Sequence, residues 1–413
     1  MFLRRLWSDQ SRTNQSPVPD ETGQRLCAFE CGWQIMNEPP TMLLSEFRGH
    51  LDETAFKERL RAVIEKNPWL AGRLKKTVDK GVVVTLPKTF DVDLHFAVLG
   101  DVGLRVDTQR YAEMFPVMSP YAICSGSGAL DRDQVLFKVF HTETGDGKFA
   151  VLTSMNHCIG DGHTAYRIFG MLGESHPVEA MNADRIQNFQ EQAVKAAIGP
   201  IAHSFLNSPL FVAGSLATYL RWSPFQSSLA TVRPEWVEDQ KKNHDAKATG
   251  IPFLSTNDLL TAELCERFGA DGAYMVINFR DRLGGATGNH AGNYESAALF
   301  DQRVKRPEEV RRLMSNPPDY SGGTLQSPGV LEMLRFRYPM MTNWLSIQRD
   351  LTLPGCTLIV HLPFYDIAGP FFAFAVIFRP NPGKIAVLYA IRDTNCFKSL
   401  KESQALDHSA ALC

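Results

Sequence analysis

Residues 134–163 read QVLFKVFHTETGDGKFAVLTSMNHCIGDGH. Two apolar runs flank TETGDGK, a break rich in Gly and Asp, so the sequence predicts a β-hairpin there. The second run leads straight to His157. Beyond Gly162, HTAYRIFGMLGE spaces Tyr166, Phe169, Gly170 and Leu172 at near-helical intervals, with His163 opening the helix. The stretch therefore reads as hairpin, tight turn, helix, with a histidine and an aspartate four apart at the handover.

An imidazole at the end of a strand is held by the sheet and can be aimed at little entropic cost. Neutral near pH 7, it can take a proton from a hydroxyl or an amine as that group attacks an electrophile. Asp161 can orient the ring, or turn away and lock the loop by pairing with an arginine. Facing away it leaves the ring uncharged; facing inward it favours imidazolium. Gly160 and Gly162 suggest a turn whose torsions other residues avoid. Cys158 follows His157 on what reads as strand and faces the opposite side, so it is expected to be a buried, inert thiol rather than a nucleophile. On its own, His-x-x-x-Asp-Gly is equally compatible with a satisfied surface turn.

Outward from this stretch, DETAFKERLRAVIEK (52–66) carries Phe56, Leu60, Val63 and Ile64 at helical spacing behind Asp52 as N-cap. That helix should end at Asn67, because Pro68 disfavours helical geometry there. GVVVTL (81–86) reads as a strand, STNDLLTAELCERF (255–268) as a helix capped by Ser255 or Asn257, and AYMVINFRDRL (273–283) as a strand. CTLIVHLPFYDIAG, PFFAFAVIFRP and KIAVLYAIRD give three late strands. The chain is thus expected to be a two-lobed α/β protein, with an N-terminal lobe over 1–190, a crossover over 191–250 where composition shifts, and a C-terminal lobe over 251–413.

The 413 residues are too many for a single small core, and 44% hydrophobic with 21% charged residues is an ordinary globular balance. A net charge of −2 with interspersed signs gives no electrostatic footprint for nucleic acid and no polybasic membrane patch. The eight cysteines are scattered, none at zinc spacing, which points to free thiols in a reducing, cytoplasmic setting and to no metal. Residues 196–220 carry no formal charge, but Pro200, Pro209, His203 and Asn207 interrupt them. A greasy crossover is favoured there over membrane contact. His141, His203 and His290 read as isolated structural or surface residues, and His361 has one face that could line a cavity.

These residues carry a resemblance. NPWLAGRL (67–74), SMNHCIGDG (154–162), STNDLLTAEL (255–264), VINFRDRL (276–283), GNHAGNY (288–294) and LPFYDIAGPFF (362–372) resemble, in order, the motifs of the BAHD acyltransferases. These belong to the superfamily of coenzyme-A-dependent acyltransferases that includes chloramphenicol acetyltransferase and peptide-synthetase condensation domains. Two departures stand out. Asn156 occupies the place of the first histidine of condensation domains, and YDIAGP (365–370) replaces the Asp-Phe-Gly-Trp-Gly motif.

The resemblance implies two chloramphenicol-acetyltransferase-like lobes, each a mixed sheet with helices, and a channel between them. It implies that His157 acts as general base in moving an acyl group from acyl-CoA, a co-substrate and not a tightly bound cofactor, to a hydroxyl, less often an amine, of a small or medium-sized metabolite of secondary metabolism. Asp161 would then be structural and, with Gly162, part of the His-x-x-x-Asp-Gly motif. Its arginine partner would be Arg280, with Arg282 as fallback. Asn293 is a candidate oxyanion donor and His361 a candidate channel residue. A monomer is expected. The competing expectations are transfer from a carrier-protein thioester, lipid or wax ester formation, and a non-catalytic binding protein on the same scaffold.

Overall fold

In a computed structural model, which describes residues 23–79, 81–107, 109–206, 208–211, 213–214, 224–314, 337–364 and 371–409, the hairpin forms as its turn residues require. In chain order the strands of the N-terminal part are β1 (Gly23–Arg25), β2 (Thr41–Arg48), β3 (Arg73–Lys76), β4 (Val82–Thr85), β5 (Phe96–Asp101), β6 (Phe137–Gly145) and β7 (Lys148–Met155). They are followed by β8 (Gln226–Val232), β9 (Gly272–Asn278), β10 (Glu295–Asp301), β11 (Pro339–Asn343) and β12 (Thr357–Phe364). The last are β13 (Ala373–Phe378), β14 (Ala386–Ile391) and β15 (Leu406–Asp407). Asp146 and Gly147 alone link β6 to β7, with φ of 53° and 67°, the left-handed pair that a tight hairpin needs.

The first lobe is built on a five-stranded sheet in the order β12-β2-β7-β6-β5, antiparallel except between β5 and β6. In β7 every residue from Phe149 to Met155 is buried, so the strand is covered on both faces and its run of apolar residues is continuous. The helix Glu53–Lys66 starts where expected, with the Asp52 carboxylate accepting from the Ala55 N–H at 3.0 Å, and stops at Asn67.

The second lobe carries a seven-stranded sheet in the order β10-β9-β11-β13-β14-β8-β15, in which β11 runs parallel to both β9 and β13. Against it lies the helix Thr256–Arg267, opened by a reciprocal cap: the Ser255 hydroxyl accepts from the Asp258 N–H and the Asp258 carboxylate from the Ser255 N–H. Of the two caps expected, Ser255 is the one used. Alternate residues of β13 serve different cores. Val376 and Phe378 join the first lobe's cluster, while Ala373, Ala375 and Ile377 join the second.

Two strands depart from the lobe boundaries drawn on composition. β8 lies within 191–250, expected as crossover, yet pairs with β14 and β15 inside the second sheet. β12 lies within 251–413, yet its partner is β2, so it completes the first sheet. Composition records whether a segment is apolar enough to be a strand; it does not record which sheet supplies the partner. In the uncharged run, the short helices Lys195–Ile198 and Pro200–Leu206 are separated at Gly199, where φ is 83°. Among the described residues no helix is long and apolar enough to cross a membrane. Residues 215–220 of that run, and YDIAGP at 365–370, lie outside the described residues.

Candidate active site

β7 ends at Met155, and His157 stands two residues beyond it, in the turn rather than on the strand. Asn156 builds that turn. Its amide nitrogen donates to the Cys124 carbonyl at 2.9 Å, and its side-chain oxygen accepts from the Cys158 N–H at 3.0 Å. Gly160 does not have the positive φ that the sequence suggested, and neither does Gly162. Gly160 is needed for space: a Cβ there would lie 2.5 Å from the Thr164 methyl carbon. Gly162 is simply the first residue of the helix Gly162–Met171, a position that asks for no unusual torsion.

Asp161 caps that helix and joins the lobes. One carboxylate oxygen accepts from the Thr164 N–H and hydroxyl, each at 3.0 Å. The Arg280 guanidinium grips both oxygens, Nη1 to Oδ2 at 2.6 Å and Nη2 to Oδ1 at 3.1 Å, and the Tyr294 N–H donates to Oδ2 at 3.0 Å. Arg280 also donates to the carbonyls of His290 and Gly292, so little hydrogen-bonding capacity is left unused on either partner. Burial pushes the Asp161 carboxyl upward, but Arg280 and its hydrogen bonds outweigh it and hold the group below its ordinary value. Asp161 thus faces Arg280, and Arg282 is an exposed residue outside this pair.

A second buried pair, which the sequence reading missed, holds the same turn from the other side. The Glu30 carboxylate, fully buried, accepts from Arg185 Nε at 2.9 Å. Arg185 in turn donates to the Ile159 carbonyl at 3.1 Å. Glu30 also accepts from Asn293, whose side-chain nitrogen bonds the His157 carbonyl at 2.9 Å. With its amide nitrogen shared between those two acceptors, Asn293 positions the His157 backbone and is not the oxyanion donor suggested for it.

His157 is 5% exposed, and among the described residues its Nδ1 is buried without a hydrogen-bond partner. Two carboxylates flank it, Glu38 with Oε2 at 3.8 Å from Nδ1 and Glu295 with Oε1 at 4.0 Å from Nε2. Glu38 comes from the first lobe, just before β2, and Glu295 opens β10 of the second. Burial pushes the ring's pKa down; Glu38, Glu295 and Asp161 push it up by more, leaving it above the ordinary 6.5. Burial, reinforced by Asp161, likewise lifts the Glu295 carboxyl. Ring and carboxyl lie 4.0 Å apart, so the charge of each depends on the protonation of the other. Nothing in MNEPP marked Glu38. Glu295 was findable, because in an extended segment it shares a face with Asn293 two residues earlier.

Other candidates fall away. Both nitrogens of His361 are taken, by the Ser45 hydroxyl at 2.9 Å and the Tyr166 hydroxyl at 2.8 Å, and burial drives its pKa down to about 3. It is a neutral bridge between β12, β2 and the helix Gly162–Met171, with no nitrogen left to line a channel. Cys158 is fully buried against Met36, and burial raises its thiol far above the range in which a thiolate forms.

No model of a protein family matches the chain, and no curated protein matches it. Solved structures do. TRI101 of F. sporotrichioides, determined with coenzyme A and T-2, is 13% identical, with 92% of this chain and 97% of that chain covered at a TM-score of 0.61. Apo TRI101 of F. graminearum is 15% identical, with 93% and 97% covered at 0.64. The first condensation domain of the CDA synthetase is 15% identical, with 95% and 98% covered at 0.57. The chain has the two-lobed chloramphenicol-acetyltransferase-like fold. On that fold, Asp161 and Arg280 join the first lobe to the second, and Glu38 and Glu295 bring one carboxylate from each to the His157 ring.

Proposed function

We propose that this chain is an acyltransferase that moves an acyl group from a coenzyme A thioester to a hydroxyl or amine of a small or medium-sized metabolite, with His157 as general base. The observation that carries the reading is the state of the ring: buried and clamped through its backbone by Asn293, yet with Nδ1 left without a hydrogen-bond partner among the described residues. A histidine held for structure alone would have its nitrogens engaged, as His361 does.

In the proposed reaction His157 takes the acceptor's proton as the acceptor attacks the thioester carbonyl. The tetrahedral oxyanion collapses with cleavage of the C–S bond, and the imidazolium returns the proton to the departing sulfur. No acyl-enzyme is needed, in keeping with the buried Cys158. The Asp161–Arg280 and Glu30–Arg185 pairs are positioning groups, since a misplacement of about 1 Å at such a base costs roughly 10²-fold in rate. A second reading is transfer from an acyl group on a carrier-protein pantetheine arm, on a fold that this chain shares with a condensation domain.

The test is thiol release from a panel of acyl-CoAs and acyl-pantetheines with pooled alcohol and amine acceptors, with His157→Ala as the blank. Acceptor-dependent release lost in the variant is expected; release that persists unchanged in a folded His157→Ala protein overturns the assignment.

A further inference from the structure

Glu38 and Glu295 stand at opposite nitrogens of the His157 ring, and the two ends differ. Nδ1, on the Glu38 side, is buried without a partner among the described residues, which leaves Nε2 as the nitrogen for a substrate to reach. Glu295 Oε1 lies 4.0 Å from Nε2, and 24% of the Glu295 side chain stays exposed against 6% of the His157 side chain. The backbone of Glu295 is fixed. Glu30 holds the Asn293 N–H and Asp161 the Tyr294 N–H just before it, Glu295 pairs with Asn278 in the sheet, and its carbonyl accepts from Gln190 at 3.0 Å. A rigid strand thus presents the carboxyl beside the nitrogen at which the acceptor would react.

The groups around this carboxyl keep its proton on. Burial raises its pKa most, Asp161 and Glu38 add to the rise, and His157 and Arg280 oppose it, for a value of about 8. A carboxyl protonated at neutral pH is a hydrogen-bond donor rather than a fixed negative charge. Asn293 spends its amide nitrogen on Glu30 and the His157 carbonyl, so the oxyanion needs its donor from elsewhere. Resting on the acyl-transfer reading, we propose that the Glu295 carboxylic acid is the oxyanion donor, hydrogen-bonded to the thioester oxygen while His157 Nε2 takes the acceptor's proton. A tetrahedral carbon carries the attacking atom and the oxyanion side by side, so two groups 4.0 Å apart can hold one each.

The acceptor hydroxyl loses its proton to Nε2 as its oxygen bonds to the thioester carbon. The carbonyl electron pair moves onto oxygen, where the Glu295 O–H donates to it. As the carbonyl re-forms, the C–S bond breaks and the imidazolium gives its proton to the sulfur. Glu295 keeps its own proton throughout, and alcohol and thioester become ester and thiol. The active state holds one proton across the pair, on Glu295, with the ring neutral. The rate therefore rises with pH as His157 is deprotonated and falls again as Glu295 ionises near pH 8, the two limbs belonging to the pair.

The first measurement needs no substrate. The infrared difference between the full chain and its Glu295→Gln variant should show a protonated carboxyl at neutral pH that ionises near pH 8; a Glu295 carboxylate at neutral pH overturns the proposal. Thiol release is then followed against pH with acetyl-, hexanoyl- and benzoyl-CoA and pooled alcohols. Glu295→Ala, its fold verified by circular dichroism, should lose about 10²–10³-fold in kcat with little change in KM for the acyl-CoA. Glu295→Gln, whose amide still donates but does not titrate, should recover part of that rate and lose the falling limb. A Glu295→Ala rate within a few-fold of the wild type, or a falling limb that survives in Glu295→Gln, overturns the proposal. Either result beside His157-dependent release sinks the oxyanion donor and leaves acyl transfer standing. A protonated Glu295 in a chain with no His157-dependent release sinks the acyl-transfer reading, and the oxyanion role with it.

Discussion

To act as the proposed base His157 has to be uncharged, yet it lies within reach of two carboxylates. The competing effects have opposite signs: burial disfavours the imidazolium, and Glu38, Glu295 and Asp161 favour it by more. Because the base form is the deprotonated one, kcat/KM should rise with pH through an apparent pKa above 6.5. Glu38→Gln removes one favouring charge, so that rising limb should move to lower pH. A kcat/KM profile of the variant that superimposes on the wild type would show that Glu38 does not act on the ring. At this scale the sequence exposed the histidine and the aspartate because they share a short motif with a turn between them. It hid Glu38 and Glu30, which lie more than a hundred residues away and come to the turn only through the fold.

The turn that carries His157 is stiffened at both ends by buried ion pairs, and removing one partner of such a pair typically costs about 3–5 kcal/mol. Asp161→Asn and Arg280→Lys should each lower the midpoint of denaturant unfolding and the rate together. Lysine fails because a point charge cannot grip both oxygens and the two carbonyls as the guanidinium does. The pH sign follows from the depressed Asp161 pKa. The stabilisation is present above the ordinary 3.8 and is lost as pH falls through the lower folded value, so the gap between wild type and Asp161→Asn should narrow on acidification. Unfolding midpoints that match the wild type near neutral pH would mean that the pair does not fasten the lobes. Much at this scale was legible. Helix caps and the Asp-Gly turn are set by neighbours in sequence, so Asp52, Ser255 and residues 145–148 could be read directly. Gly160 could not, because its reason is a contact with Thr164 that only the folded turn creates.

Across the whole molecule the two lobes are woven together. β12 leaves the C-terminal part to cover the edge of β2, and β13 feeds side chains into both cores. A fragment ending at residue 190 would expose β2, seven of whose eight residues are buried, as an open apolar edge. We expect 1–190 to be insoluble alone and to be rescued by co-expression with the remainder; a soluble, well-dispersed NMR spectrum from the fragment would refute this. Strand pairing of this kind was illegible because β12 reads the same whichever sheet receives it. The proposed reaction turns on a single imidazole at the seam of the two lobes. Its most direct test is the transfer rate of His157→Ala beside that of the wild type, with circular dichroism and melting temperature verifying the fold. A fall of about 10²–10⁴-fold at unchanged melting temperature is predicted, and a folded variant within a few-fold of the wild-type rate would contradict it.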